Sequence, residues 1–196
     1  MIGTHPMANL APLDYRYALD SAMPLLAGKT PPILQCNLPE LEREVRQRIP
    51  DWAGASVVRA GLWIEPLVDT WQAELQALAS TLPAGAPLVV VASRPLARLL
   101  PERRSWGGQP LGFRPGGIGR LRRGLRGAGL VLEACYGIHS AVAIGLNALS
   151  WQMAHLGRPD LGDRIYFAAR LRYCAEGPFA MLSTVALLIA RKESEE

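Results

Sequence analysis

The clearest pattern in the chain is the apolar run Leu88-Val-Val-Val91, set between the breaks of Pro83, Gly85 and Pro87 and the polar Ser93. An unbroken β-branched run of this length predicts a strand covered on both faces, at the centre of a mostly parallel sheet with neighbours running the same way. Before it, Leu67, Trp71, Leu75, Leu78 and Leu82 recur at helical spacing and predict an amphipathic helix over 67–82. Further upstream, Tyr15, Ala18, Leu19 and Ala22 form one apolar stripe of a helix over 14–26. Ile33–Cys36 is a short strand. Asn37 is placed as an N-cap for a helix over 39–49, with its acids first, its arginines last, and Leu41, Val45, Arg48 and Ile49 marking the inner face. Ser56–Ala60 is the next strand, and Gly61–Pro66 is expected to be a loop beyond its carboxyl end.

Downstream, seven glycines and prolines between Gly107 and Gly117 predict a long connection over 94–117, with one helical turn at Leu96–Leu100. A helix over 118–126 follows, with Ile118, Leu121 and Leu125 inward and Arg120, Arg123 and Arg126 outward. Leu130–Cys135 is a strand that the chain leaves at Tyr136-Gly137, and 141–156 is an apolar helix. The pattern over 160–175 fits helix or strand, and 181–190 is β-rich. Alternation of this kind predicts an α/β fold: a three-layer sandwich around a mostly parallel sheet of about five strands, with an antiparallel C-terminal strand. The organisation expected is a lead-in and helix over 1–30, an α/β domain over 31–192 and a tail over 193–196.

Composition adds that 49% hydrophobic residues in 196 supply one good core. Cys36, Cys135 and Cys174 stand far apart, as do His5, His139 and His155, which gives neither a disulfide framework nor a metal site. The longest apolar stretch, 141–149, is too short to cross a bilayer. The first residues lack a basic flank followed by an apolar core, so a cytoplasmic chain is expected, with peripheral attachment to a membrane as the alternative. Net charge is +4, but residues 94–126 carry nine arginines and one acid, Glu102. A local basic patch therefore sits on a mildly acidic body. Its arginines are not interleaved with aromatics, which argues against nucleic acid.

Ligands of parallel sheets sit beyond the carboxyl ends of the strands. That rule singles out Glu65 and His139 as candidate acid–base residues, and Trp63, Ser93, Arg94 and Tyr136 as pocket residues. Arg114, Gly116, Gly117, Gly119, Arg120 and Arg123 surround a helix start and would suit an anion, against the plainer reading of a solvated basic helix.

Three segments in order, LPAGAPLVVVAS (82–93), IGRLRRGLRGAGLVLEACYG (118–137) and VALLIARK (185–192), resemble the C-terminal part of class I S-adenosylmethionine-dependent methyltransferases; SVVRAGLWIEPLVDTW (56–71) is similar to that family's fourth strand and following loop. The resemblance spans roughly 55–192 and implies a truncated Rossmann-like methyltransferase fold with S-adenosylmethionine as cofactor. The family's Gly-rich loop after the first strand has no counterpart: ILQC is followed by Asn37-Leu-Pro-Glu. Two readings stay open. One is methyl transfer to a small or lipid-like acceptor. The other is a degenerate, non-catalytic relative that binds a partner protein or an anionic surface. Loss of early strands would expose a sheet edge, so a homo- or hetero-oligomer through that edge is expected.

Overall fold

A computed structural model describes residues 13–26, 32–48, 60–66, 69–94, 96–97, 117–176 and 180–193. The elements in chain order are α1 (Leu13–Leu26), β1 (Pro32–Cys36), α2 (Pro39–Arg48), β2 (Ala60–Ile64), α3 (Trp71–Thr81), β3 (Pro87–Ser93), α4 (Gly117–Gly127), β4 (Leu130–Ser140), α5 (Ala141–His155), α6 (Pro159–Leu171), β5 (Cys174–Ala175) and β6 (Ser183–Lys192).

Among the described residues the sheet has six strands in the order β1-β2-β3-β6-β4-β5. β1, β2 and β3 pair in parallel. β6 lies antiparallel between β3 and β4, so β4 runs in the same direction as β1 to β3. The short β5 adds an antiparallel sixth strand beside β4.

Every residue of β3 is buried. Each Val or Leu covered in this way contributes ~1.5–3 kcal/mol over its exposed state. The expectation of like-directed neighbours on both sides holds for β2 and fails for β6. The antiparallel C-terminal strand pairs directly with β3, from Pro87↔Arg191 to Ser93↔Val185.

Alternate residues of β3 face two cores, as the pleat requires. Val89 and Val91 meet Tyr15, Ala18, Leu19 and Ala22 of α1 and Leu41 and Val45 of α2 on one face. Leu88, Val90 and Ala92 meet Leu75, Leu78, Leu121 and Leu125 of α3 and α4 on the other. Helix, sheet and helix make the three layers of a truncated Rossmann-like α/β fold. The stripes read for α1 and α4 and the inner positions Leu41 and Val45 of α2 face the core, and Arg120, Arg123 and Arg126 lie outside. The side chains of Arg48 and Ile49 lie outside the described residues.

Two boundaries differ from the sequence reading. β2 occupies Ala60–Ile64, so that Gly61–Ile64, expected to be loop, are strand, while 56–59 lie outside the described residues. Pairing with β1 and β3 on both sides fixes this register. β4 runs on through Tyr136 to Ser140, paired with β6 as far as Ser140↔Ser183. Gly137 does not mark an exit from the strand. A Cβ there would stand 2.6 Å from the Ala180 carbonyl oxygen, so the glycine admits a close crossing of chain.

The ambiguous stretch resolves into α6 followed by β5. Gly85, at φ +74°, closes the turn into β3, where Ala86 N–H donates to the Pro83 carbonyl at 3.1 Å. Among the described residues no helix is long and apolar enough to cross a membrane.

Candidate functional site

The carboxyl ends of β1, β2 and β3 share one edge of the sheet and place Asn37, Glu65, Ser93 and Arg94 side by side. Glu65 follows the last residue of β2 with φ +51°, a left-handed conformation that a side chain makes strained. Four bonds hold it there. Its N–H donates to the Val91 carbonyl at 2.7 Å. Its carbonyl accepts from the Asn37 amide at 2.9 Å. Its carboxylate oxygen accepts from Ser93 N–H at 2.9 Å and from the Tyr15 hydroxyl.

Glu65 is 1% exposed, and Tyr15 and Ser93 are fully buried. Tyr15 Oη also lies 2.6 Å from Ser93 Oγ. With the tyrosine proton directed to Glu65, the serine hydroxyl is the donor in that pair. The result is a closed relay, Ser93 to Tyr15 to Glu65, that spans α1, β2 and β3.

A second set of bonds lies beside it. Glu74 Oε2 accepts from Asn37 Nδ2 at 3.0 Å and from Trp63 Nε1 at 2.8 Å, and Thr70 Oγ1 donates to Glu74 Oε1 at 2.5 Å. Asn37, read as an N-cap, spends its side chain here. Trp63 is a fully buried core residue inside β2, turned toward α3.

Arg94 is different. It is 6% exposed, its guanidinium reaches Cys135 Sγ at 3.9 Å, and its Nε has no partner. Burial pushes it below the ordinary arginine range, the Cys135 sulfur works the other way, and Arg122 adds to the lowering.

His139 is the other non-glycine residue at positive φ among the described residues, at +54°. It sits one residue before the end of β4 and stacks on Tyr173 at 4.9 Å, which in turn packs on Tyr17 at 4.8 Å. β2 and β4 are separated by β3 and β6, three ladder steps or ~14 Å. The two residues named for acid–base chemistry thus occupy separate surroundings.

Tyr136 is half-buried within β4 against the α1 side of the sheet. A cleft of about 360 Å³ opens at the end of β4, lined among others by Val142, Arg172, Ala175, Glu176 and Leu182. Gly117, Gly119, Arg120 and Arg123 lie on α4, with both arginines exposed. Arg114 and Gly116 lie outside the described residues. Among the described residues no group of His, Cys, Asp and Glu could hold a metal ion.

Tyr15 is the member that sequence reasoning missed. It was read as one residue of an apolar stripe. The signal was its hydroxyl, since a tyrosine on a buried face must find a polar partner.

Among the described residues, the side chains at this edge do not fit S-adenosylmethionine. The turn after β1 is Asn37-Leu38-Pro39, without glycine, and Leu38 is buried in the core. Pro39 offers no N–H to a ligand. Asn37 and Glu65 are already bonded within the protein, and the buried Tyr15 is bonded to both Glu65 and Ser93.

No family model matches the chain, and no curated protein matches it. Among solved structures it is similar to the [4+2]-cyclase SpnF, at TM-score 0.45 and 15% identity over 92% of this chain and 81% of that one. It is similar also to mycolic acid cyclopropane synthase CmaA1 complexed with SAH and CTAB, at 0.44 and 13% over 90% and 84%. A third is StiE O-MT, at 0.35 and 10% over 95% and 79%. The chemistry of this chain rests on its own residues.

Proposed function

We propose that the protein is a non-catalytic form of the methyltransferase-like fold, a binding or scaffold protein, and not a transferase acting on a small or lipid-like acceptor. The observation that carries this reading is the burial of Glu65 and Ser93 against Tyr15 at the carboxyl ends of β2 and β3. A transferase needs an acceptor and a methyl donor to meet at reacting distance. Here the carboxylate best placed to act is 1% exposed and bonded to its own chain. The surface left for binding is basic. Arg120, Arg122, Arg123 and Arg126 stand exposed on α4, a helix with no acidic residue. Four arginines on one helix suit an anionic partner.

The test is isothermal calorimetry of the full chain with S-adenosylmethionine and with S-adenosylhomocysteine, paired with thermal shift. The expected outcome is no heat and no shift at millimolar ligand. Saturable micromolar binding of either compound would overturn the reading in favour of methyl transfer.

A further inference from the structure

From the buried side chain of Arg94 we propose a site for a small phosphate-bearing ligand, on the α4 face of the sheet at the carboxyl end of β3. Such a site is compatible with either fate of methyl transfer, so its test is separate from calorimetry with S-adenosylmethionine.

Ser93 and Arg94 are neighbours in sequence and opposites in placement. Arg94 N–H donates to the Thr184 carbonyl at 2.8 Å, so pairing with β6 extends one residue past β3. Pleat alternation turns Ser93 toward Tyr15 on the α1 face and Arg94 toward the side of Leu88, Val90 and Ala92. The first face is closed by the bonds among Tyr15, Glu65 and Ser93. On the second, Arg94 Nη2 reaches β4 and lies 3.9 Å from Cys135 Sγ. Val90 and Cys135 both pair with Leu188, one row behind the pair Ala92 and Ala186. The arginine therefore folds back over two methyl side chains, a floor low enough for it to lie there.

Arginine is almost never buried unless it is paired. The ordinary means of burying one are missing here. No acid is bonded to Arg94 among the described residues, and the contact it makes is with a thiol, a weak acceptor. Its Nε is buried without a partner, so the head group is not simply carried out to water on an apolar stem. A guanidinium presents five N–H donors in a rigid fork, and one 3.9 Å contact leaves that fork almost whole. The group that satisfies it is an oxyanion, which takes two parallel bonds from the fork.

A second cation favours phosphate over carboxylate. Arg122, exposed on α4, acts on Arg94 as a like charge and adds to the effect of burial. Two cations that repel each other are balanced better by a dianion, and a phosphate monoester carries ~1.5 to 2 negative charges near pH 7. The ligand is small because Arg94 is 6% exposed, below the surface to which a polynucleotide or a bilayer presents its phosphates. Arg120, Arg123 and Arg126, exposed on α4, are the groups that such a surface would meet.

The experiment titrates the full chain, carrying isotope-labelled arginine, with inorganic phosphate and separately with acetate. Nuclear magnetic resonance follows the arginine Nε–H signals, and calorimetry gives the affinities. The Arg94 signal is identified by its loss in Arg94→Met or Arg94→Lys. It is expected to shift saturably with phosphate, and acetate is expected to bind more weakly. Arg94→Met, and Arg94→Lys, which keeps the charge and loses the fork, should each weaken phosphate binding by ~10–100-fold, the scale of charge-assisted hydrogen bonds. Arg122→Met should weaken it by less. The general stabilisation that phosphate gives any fold is common to all four chains and does not mimic this result. An Arg94 signal that phosphate leaves in place, equal affinity in wild type and both Arg94 variants, or acetate bound as tightly as phosphate would each overturn the proposal. So would binding that survives both Arg94 variants and is lost in Arg120→Ala with Arg123→Ala, since phosphate would then sit on the outer face of α4. If Arg94→Met fails to fold, Arg94→Lys decides.

Discussion

The strand-end crevice and the α5–α6 hairpin solve opposite problems. In the crevice, polar atoms are buried and nearly all are bonded: Glu65, Tyr15, Ser93, Asn37 and Trp63 have protein partners, and only the Arg94 Nε lacks one. On the hairpin, apolar atoms lie in water with nothing of the described chain over them. The difference follows from what each region has to cover it. α1 reaches across β3, β4 and β6 and delivers Tyr15 to Glu65. The hairpin, at the far end of the sheet, packs on β4 and on itself. The sheet core is thus covered within one chain, whereas the described residues leave the outer face of the hairpin exposed.

Several variants sharpen this contrast. The largest effect is expected from Glu65→Ala, which orphans the Tyr15 hydroxyl and the Ser93 N–H. Unfolding by urea should show a loss of ~2–4 kcal/mol. Phe167→Ser on the hairpin, at an exposed position, should stay within ~0.5 kcal/mol. Equal losses at the two sites would remove the contrast. Glu65→Gly should lose ~1 kcal/mol less than Glu65→Ala, because glycine accepts φ +51° without strain.

Arg94→Met should raise stability by ~1–3 kcal/mol, since it removes a buried charge with no acid bonded to it among the described residues. A destabilised Arg94→Met chain would mean that the Cys135 contact, or an acid brought by a bound partner, matters more than desolvation.

The smallest effect concerns the thiols. Burial pushes Cys36 from 9.0 up to about 12, against a weaker opposite pull from the Leu38 backbone. The folded chain then holds this proton through a range where the unfolded chain releases it. The associated stability is fully present below pH 9.0 and is lost as pH rises toward about 12. Between about pH 8 and about pH 10 the wild type should lose more stability than Cys36→Ala, by at most ~1.4 kcal/mol per pH unit. Identical pH profiles would show that the Cys36 thiol is as solvated as a free one.

Much of this architecture is legible in the sequence, for physical reasons that differ by element. β3 is recognisable because a strand buried on both faces needs no polar residue, and LVVV is such a run. The α1 and α4 stripes are legible because each helix buries one side only. β2 reaches Ile64, past the end of the SVVRA pattern, because pairing with β1 and β3 sets the strand there. β4 runs further than its pattern suggests, because Gly137 serves a crossing chain and not a turn. Glu65 and Ser93 stand out as strand-end polar residues. Their common partner does not, since Tyr15 is 50 residues before Glu65 and 78 before Ser93, and no local pattern links them.

The most direct test is a double-mutant cycle between Tyr15 and Glu65, using Tyr15→Phe and Glu65→Gln, each alone and together, with unfolding free energy as the readout. The structure predicts a coupling of ~1–3 kcal/mol, because each side chain is buried against the other. Additive effects, with no coupling beyond error, would place the hydroxyl and the carboxylate apart, reopen the crevice to a ligand and contradict the account.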